Sequence, residues 1–293
     1  TSGKNAILIS ASADIDGAVK DLVQSAFGHG GQKCSAASLA IVESSIYDNP
    51  SFLRQLKDAV ESLQVGAGWN YSTAMGPIIR PPNTGSLLRA LTTLDEGESW
   101  LVTPKQLDKS GHLWSPGVKL GIKPGSWSHR NEWFGPVLGV MHAPNFETAI
   151  DWQNGVDYGL TAGVHSLDEK ECELWISRIE AGNLYLNRGI TGAVVNRQPF
   201  GGWKRSSVGP TSKAGGSNYL NNLRNWPALD FLRDTTATSS AWWKNIGSRA
   251  IDASGLSVER NYQRYLPSKR GIVVRIDDSV SEDCIRYTQW VAE

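Results

Sequence analysis

The sequence predicts an α/β protein: a mainly parallel sheet flanked by helices, with a C-terminal extension. Two observations predict the sheet and a third the extension. Short apolar runs alternate with amphipathic helical patterns, which is the signature of βαβ units. The apolar runs are dense enough to read as buried strands. From about Ser217 the composition shifts to Asn, Arg, Trp and Ser, and the alternation stops.

In chain order, residues 5–10 (NAILIS) read as the first strand. Residues 14–27 follow as a helix with Ile15, Ala18, Val19, Leu22, Val23 and Ala26 on one face, and Ser12 or Asp14 as its cap. Residues 38–42 (SLAIV) form the second strand. A helix opens near Pro50, where Phe52, Leu53, Leu56, Ala59, Val60 and Leu63 recur at i, i+3 and i+4, and it is expected to stop at Gly66 and Gly68. Residues 137–141 read as strand, 146–153 as helix, 160–165 as strand, 169–179 as helix and 183–187 as strand. Two stretches interrupt the rhythm. Residues 75–125, rich in Pro, Gly and Trp, suggest loops and short strands around one helix at 85–94. Residues 189–216 are Gly-rich without periodicity. A loop that long is functional or disordered, and Val194, Val195, Phe200 and Trp203 argue against disorder. Residues 264–276 (RYLPSKRGIVVRI) contain one more strand. The expected division is a domain over 1–217 and an extension over 218–293 that begins a further domain or acts as a cover segment.

The 293 residues carry 29 basic and 29 acidic side chains. That neutrality offers no field to attract nucleic acid or an acidic membrane surface. A hydrophobic content of 40% with 20% charged residues rules out wholesale disorder. No apolar run approaches 18 residues, and no basic-then-apolar leader opens the chain, so neither a membrane span nor a signal peptide is expected. The three cysteines are odd in number and lack a C-x-x-C pair. That speaks against a disulfide framework or a zinc site and for a reducing, cytoplasmic compartment.

Three constellations carry candidate chemistry. In residues 27–36 (FGHGGQKCSA), Cys34 follows a dense glycine turn between helix and strand. Glycines let a ligand approach the backbone closely, and Lys33 favours the nucleophilic thiolate. Cys172, on an amphipathic helix, and Cys284, near the end, read as small buried hydrophobes, and His29 as a turn residue. In 132–136 (EWFGP), Glu132 stands at the entrance of a strand beside a rigid turn. A carboxylate there holds a sugar hydroxyl or activates water, although alone it reads as a solvated loop residue. In 187–202 (NRGITGAVVNRQPFGG), a strand end opens into a glycine loop able to offer N–H groups to an anion. Residues 66–71 (GAGWNY) miss the dinucleotide fingerprint at its last position, and the P-loop, zinc-protease and serine-elbow motifs are absent.

Together, in this order and with Cys34 and Glu132 98 positions apart, the motifs resemble the catalytic half of the aldehyde dehydrogenase family. F-x-x-x-G-Q-x-C matches Phe27, Gly31, Gln32 and Cys34; E-x-F-G-P matches Glu132, Phe134, Gly135 and Pro136; P-F-G-G matches 199–202. The likeness covers about 1–220, and within the family the motifs resemble the L-glutamate γ-semialdehyde dehydrogenases, most of all the form fused to proline dehydrogenase. The resemblance implies an NAD(P)-dependent oxidoreductase of proline catabolism, with NAD bound mainly by a domain outside this chain. It implies Cys34 as the nucleophile that forms a thioester. It assigns Glu132 and Phe134 to the nicotinamide ribose and ring, and Ser35, Gly192 and Ala193 to the substrate's α-carboxylate. It implies no metal, a small-molecule substrate, a homo-oligomer, and a proline dehydrogenase domain in the same polypeptide. Thr1, Ser2, Gly3 and Lys4 match the end of the family's E-x-x-G-K motif, so the general-base glutamate is expected just before Thr1 and the chain alone is expected to be inactive. A dehydrogenase of another semialdehyde, or a non-catalytic module with this fold, are the alternatives.

Overall fold

The computed structural model describes residues 2–195, 197–208, 212–216, 219–223, 225, 240–266, 280–282, 285 and 286. Cys284 and residues 267–276 of the last expected strand lie outside the described residues; 264–266 carry no strand. By contacts the chain forms two units: Thr1–Gly192 with Phe200–Lys213, and Ala193–Pro199 with Ala214–Glu293.

The first unit runs β1 (Asn5–Ile9), α1 (Ile15–Phe27), β2 (Ala37–Glu43), α2 (Ser44–Tyr47), α3 (Pro50–Glu61), α4 (Gly85–Thr92), β3 (Ser99–Val102), β4 (Gly117–Leu120), α5 (Trp127–Arg130), β5 (Val137–Ala143), α6 (Phe146–Asn154), β6 (Tyr158–Gly159), β7 (Thr161–His165), α7 (Glu169–Arg178), β8 (Asn183–Leu186) and β9 (Trp203–Lys204). Seven strands form one sheet in the order β3-β4-β5-β2-β1-β7-β8. Every pairing in it is parallel except β3 with β4. The mainly parallel sheet flanked by helices is therefore as the sequence predicts.

Burial on both faces explains the unbroken apolar strands. Along β1, Ile7 and Ile9 join the core on one face, with Leu22, Phe27, Phe52 and Leu56. Ala6 and Leu8 join the other, with Ile150, Trp133 and Trp175. Side-chain alternation in a strand requires that division. The helices start on short polar caps. Asp14, Asn49, Asn145 and Asp168 each accept a backbone N–H of the first turn, and Pro50 supplies a pre-set φ at the start of α3. Of the two caps proposed for α1, Asp14 serves. The Ser12 hydroxyl instead donates to Glu171 Oε2 at 2.8 Å.

The sequence pattern misplaces one helix end. Helix α3 ends at Glu61 rather than at Gly66 or Gly68, because the chain leaves to pair Val65 with Met75. Ala74 N–H donates to Gln64 O at 2.8 Å, while Leu63 still packs against the core from outside the helix. The single-turn helices α2 and α5 are too short to show a period. The Gly-rich stretch is partly tied down. Strand β9 pairs with β6, Gly201 N–H donates to Asn183 Oδ1 at 3.1 Å, and the Lys213 amine donates to the Gly182 carbonyl. Burial holds that amine down to about 8.

In the second unit, Ile251–Asp252 pairs antiparallel with Tyr262–Gln263. Asp252 closes the intervening loop by accepting Ser254 N–H at 2.8 Å and Asn261 N–H at 3.0 Å. These bonds, with that of the Ser254 hydroxyl foremost, pull its carboxyl down to about 2. No helix among the described residues is long and apolar enough to cross a membrane.

Buried Gln153 donates to the carbonyls of Ala6 (2.8 Å) and Gly163 (3.1 Å) and accepts Trp175 Nε1–H at 2.8 Å, joining β1, β7 and α7. Gln153→Leu leaves the indole N–H unpaired, and chemical denaturation should show a loss of about 2 kcal/mol. Lys213→Met should stabilise the fold in a pH-dependent way. The folded amine sits below its unfolded value, so the wild-type deficit is complete below pH 8, shrinks as pH rises, and vanishes near pH ~10.4, with at most about 3 kcal/mol at stake. A pH-independent difference between the two proteins would contradict this.

Candidate active site

Parallel pairing puts the amino ends of β1, β2, β5, β7 and β8 along one edge of the sheet. Gly3 precedes β1, Cys34 precedes β2 and Glu132 precedes β5. Ligands of open α/β sheets usually gather beyond the carboxyl ends; here the motifs gather at the opposite edge.

The turn Gly28–Gly31 links α1 to Cys34. His29, Gly30 and Gly31 have φ of 57°, 62° and 67° in succession, a left-handed run that two glycines make accessible. Gly31 is required for a second reason: a Cβ there would lie 2.3 Å from the Gly135 carbonyl oxygen. The cysteine turn thus presses directly on the E-W-F-G-P turn. Gln32 fastens the two, donating to the Phe134 carbonyl at 3.1 Å and accepting Ile79 N–H at 2.7 Å. Ala36 N–H donates back to Lys33 O at 3.0 Å, which leaves Cys34 half-buried in the bend. Phe134 is itself left-handed at φ 56°, a costly conformation for an aromatic residue that the clasped turn sustains.

Glu132 Oε1 accepts the Gly3 N–H at 3.0 Å. Beside it Trp133 is buried, with the Lys4 ammonium 3.4 Å from its ring centroid. Lys4 is fully enclosed and its amine makes no hydrogen bond. Desolvation, and then the nearby Lys119, hold that amine well below the usual range, against the opposing pull of Glu132 and Glu98. A shallow cleft opens between the two turns, lined among others by Gly3, Lys33, Ser38, Glu132 and Phe134. Its wall carries a buried Ser38 hydroxyl that makes no hydrogen bond. A carboxylate, a spare hydroxyl and an exposed aromatic ring suit a ribose and the ring attached to it. By their chemistry the residues present fit one part of a dinucleotide.

Ser35 is buried, and its carbonyl accepts the Thr161 hydroxyl at 3.4 Å. Gly192 is exposed with φ 81°. After β8 the chain returns along α1, where Ile190 N–H donates to Ser25 Oγ at 3.1 Å. Ala193 is exposed and groups with the second unit. His29 is an exposed turn residue. Cys172 is half-buried on α7, its thiol 3.7 Å from the Ser166 carbonyl beyond the carboxyl end of β7. Burial pushes that thiol up. Among the described residues no cluster of His, Cys, Asp and Glu could hold a metal. The sequence reading assigned no site role to Gln32, Lys4 or Ser38. Gln32 stood in the cysteine motif, but spacing carries no sign of what a side chain reaches across the sheet.

Gly31→Ala combines a left-handed backbone with overlap on Gly135 O. It should cost about 2–4 kcal/mol and separate the two turns, read as a lower melting temperature with faster hydrogen exchange at 132–136 than at β7.

The aldehyde dehydrogenase family model matches residues 1–226. A 1-pyrroline-5-carboxylate dehydrogenase of Geobacillus thermodenitrificans is 38% identical over 221 residues, covering 74% of this chain and 42% of that protein. Its Bacillus subtilis counterpart is 33% identical over 218 residues, with the same coverage of 74% and 42%. Among solved structures, proline utilization A from Corynebacterium freiburgense superposes with a TM-score of 0.81 at 50% identity, covering 88% of this chain and 28% of that one. A 1-pyrroline-5-carboxylate dehydrogenase from Thermus with bound NAD gives a TM-score of 0.68 at 36% identity, covering 75% and 42%. The chain thus spans 42% of the length of these curated relatives. With its cysteine, glutamate and P-F-G-G motifs on one sheet edge or anchored to it, and the family model matched over most of its length, the chain belongs to the aldehyde dehydrogenase family.

Proposed function

We propose that this chain is the catalytic part of an NAD-dependent enzyme that oxidises L-glutamate γ-semialdehyde to L-glutamate. The observation that supports it most is the clasp between the Cys34 turn and the Glu132 turn, made by Gly31 against Gly135 and by the Gln32 amide on Phe134. The turn that carries the proposed nucleophile is thereby packed against the turn that carries the proposed ribose-binding carboxylate.

In this reading the Cys34 thiolate adds to the aldehyde carbon, and its own N–H helps to hold the oxyanion. Glu132 holds the nicotinamide ribose, and Phe134 packs beside the ring. NAD, when bound, supplies the two-electron acceptor. Cys34 then carries the acyl group as a thioester until water removes it, and the base for that water is proposed to come from the part of the relatives' length that this chain does not span. Ser35, Gly192 and Ala193 are assigned to the α-carboxylate. The proposal extends to a catalytic domain over 1–217 and a cover or further domain over 218–293. It also includes a proline dehydrogenase domain in the same polypeptide, a homo-oligomer and a cytoplasmic setting. Relatives of more than twice this chain's aligned span, and neighbours called proline utilization A, support the larger assembly.

Iodoacetamide labelling of this chain at pH 7.5, followed by peptide mass spectrometry, tests the nucleophile. Cys34 should alkylate about tenfold faster than Cys172 and Cys284. Equal, slow labelling would favour a non-catalytic module. In the longer polypeptide, NADH formation from glutamate semialdehyde should exceed that from succinate semialdehyde and be abolished by Cys34→Ala. Robust turnover by the 293-residue chain alone would overturn the claim that base and cofactor cradle are supplied from outside it.

A further inference from the structure

Asn5 opens β1 and is 3% exposed. An amide that deeply buried must place its donors and its acceptor, and every partner of Asn5 belongs to the site edge. Its Nδ2 group donates to the Cys34 carbonyl at 2.8 Å and to the Ala36 carbonyl at 3.0 Å. Its Oδ1 accepts the backbone N–H of Thr161, the first residue of β7, at 3.1 Å.

The need for those bonds lies in the register. Asn5 pairs with Ala37 but Ala6 with Leu39, so the β1–β2 ladder slips by one residue at this point. A bulge leaves backbone groups without ladder partners, and here it falls immediately after the cysteine turn. The Cys34 and Ala36 carbonyls, which precede β2, are taken up by the Asn5 side chain instead. The room is closed on the other side too. A Cβ on Gly3 would lie 2.6 Å from the Asn5 amide and 2.8 Å from the Cys34 carbonyl. Gly3, Asn5 and the carbonyl of Cys34 therefore form one packed unit, and Thr161 adds a second strap through its hydroxyl to Ser35 O.

We propose that Asn5 is a positioning residue for Cys34, its two donated hydrogen bonds holding the nucleophile's turn against the β1–β2 bulge. It touches neither substrate nor cofactor; it acts through the backbone of Cys34. The proposal rests on Cys34 being the nucleophile.

Two substitutions in this chain separate holding from mere stability. Asn5→Asp keeps the shape and the acceptor for Thr161 but loses the amide donors. Asn5→Leu keeps the approximate volume and loses every bond. The readout is the Cys34-to-Cys172 alkylation ratio with iodoacetamide, measured on protein shown folded by circular dichroism. Cys172 lies past the opposite edge of the sheet and serves as the internal reference. In either folded variant the ratio should fall about tenfold, the worth of one to two net hydrogen bonds, and Asn5→Asp alone decides the matter if Asn5→Leu does not fold. A ratio within twofold of the unsubstituted chain, whatever the melting temperature does, would overturn the proposal and leave Asn5 a structural residue. The nucleophile reading fails on a different observation, namely Cys34 labelling no faster than Cys172 in the unsubstituted chain.

Discussion

The close approach of two backbone turns governs this molecule. Gly31 meets the Gly135 carbonyl at a separation that admits no side chain, and most features of the site edge follow from it. The left-handed run from His29 to Gly31 delivers the chain to that contact. Phe134 accepts an unfavourable φ because its carbonyl is gripped by Gln32 and its neighbour Gly135 is pinned. On the sheet side, Gly3, Lys4 and Asn5 complete the enclosure from a single strand start. The Gly3 N–H goes to Glu132, the Lys4 cation to Trp133, and the Asn5 amide to Cys34 and Ala36. Residues from three separate stretches meet there with little freedom left.

The region behind Trp133 is electrostatically unusual. Lys119 and Glu98 form an ion pair with side chains only 1% and 2% exposed, and Lys119 also donates to Thr93 O at 2.6 Å. A buried pair is weak support for stability, because desolvation offsets most of the attraction. Its clearer consequence is local. Lys4 and Lys119 sit 3.4 and 5.5 Å from the same Trp133 ring centroid, and burial holds both amines below their usual range.

Much of the fold was legible because its signals are local. The cap at Asp14, the amphipathic period of α1 and α3, and the unbroken apolar runs of β1, β2 and β7 each depend on a few neighbouring residues. Helix α3 ended early because a distant partner, Met75, pairs with Val65; that competition leaves no mark on the periodicity. Single turns such as α2 and α5 hold too few residues to show a period at all.

The sequence by itself determined the α/β class and the family likeness, and it singled out Cys34, Glu132 and Phe134. Motif chemistry and periodicity are written in short contiguous runs of residues. Only the tertiary structure decided that the turns carrying Cys34 and Glu132, 98 positions apart, pack against each other at the amino ends of the strands. It alone showed that Gln32, Lys4 and Asn5 reach across to them, and that Ala193 groups with the second unit while Gly192 stays with the first. The reason is geometric. Which strand neighbours which, and at what register, is set by burying both faces of one sheet, and that choice is made by the whole core at once.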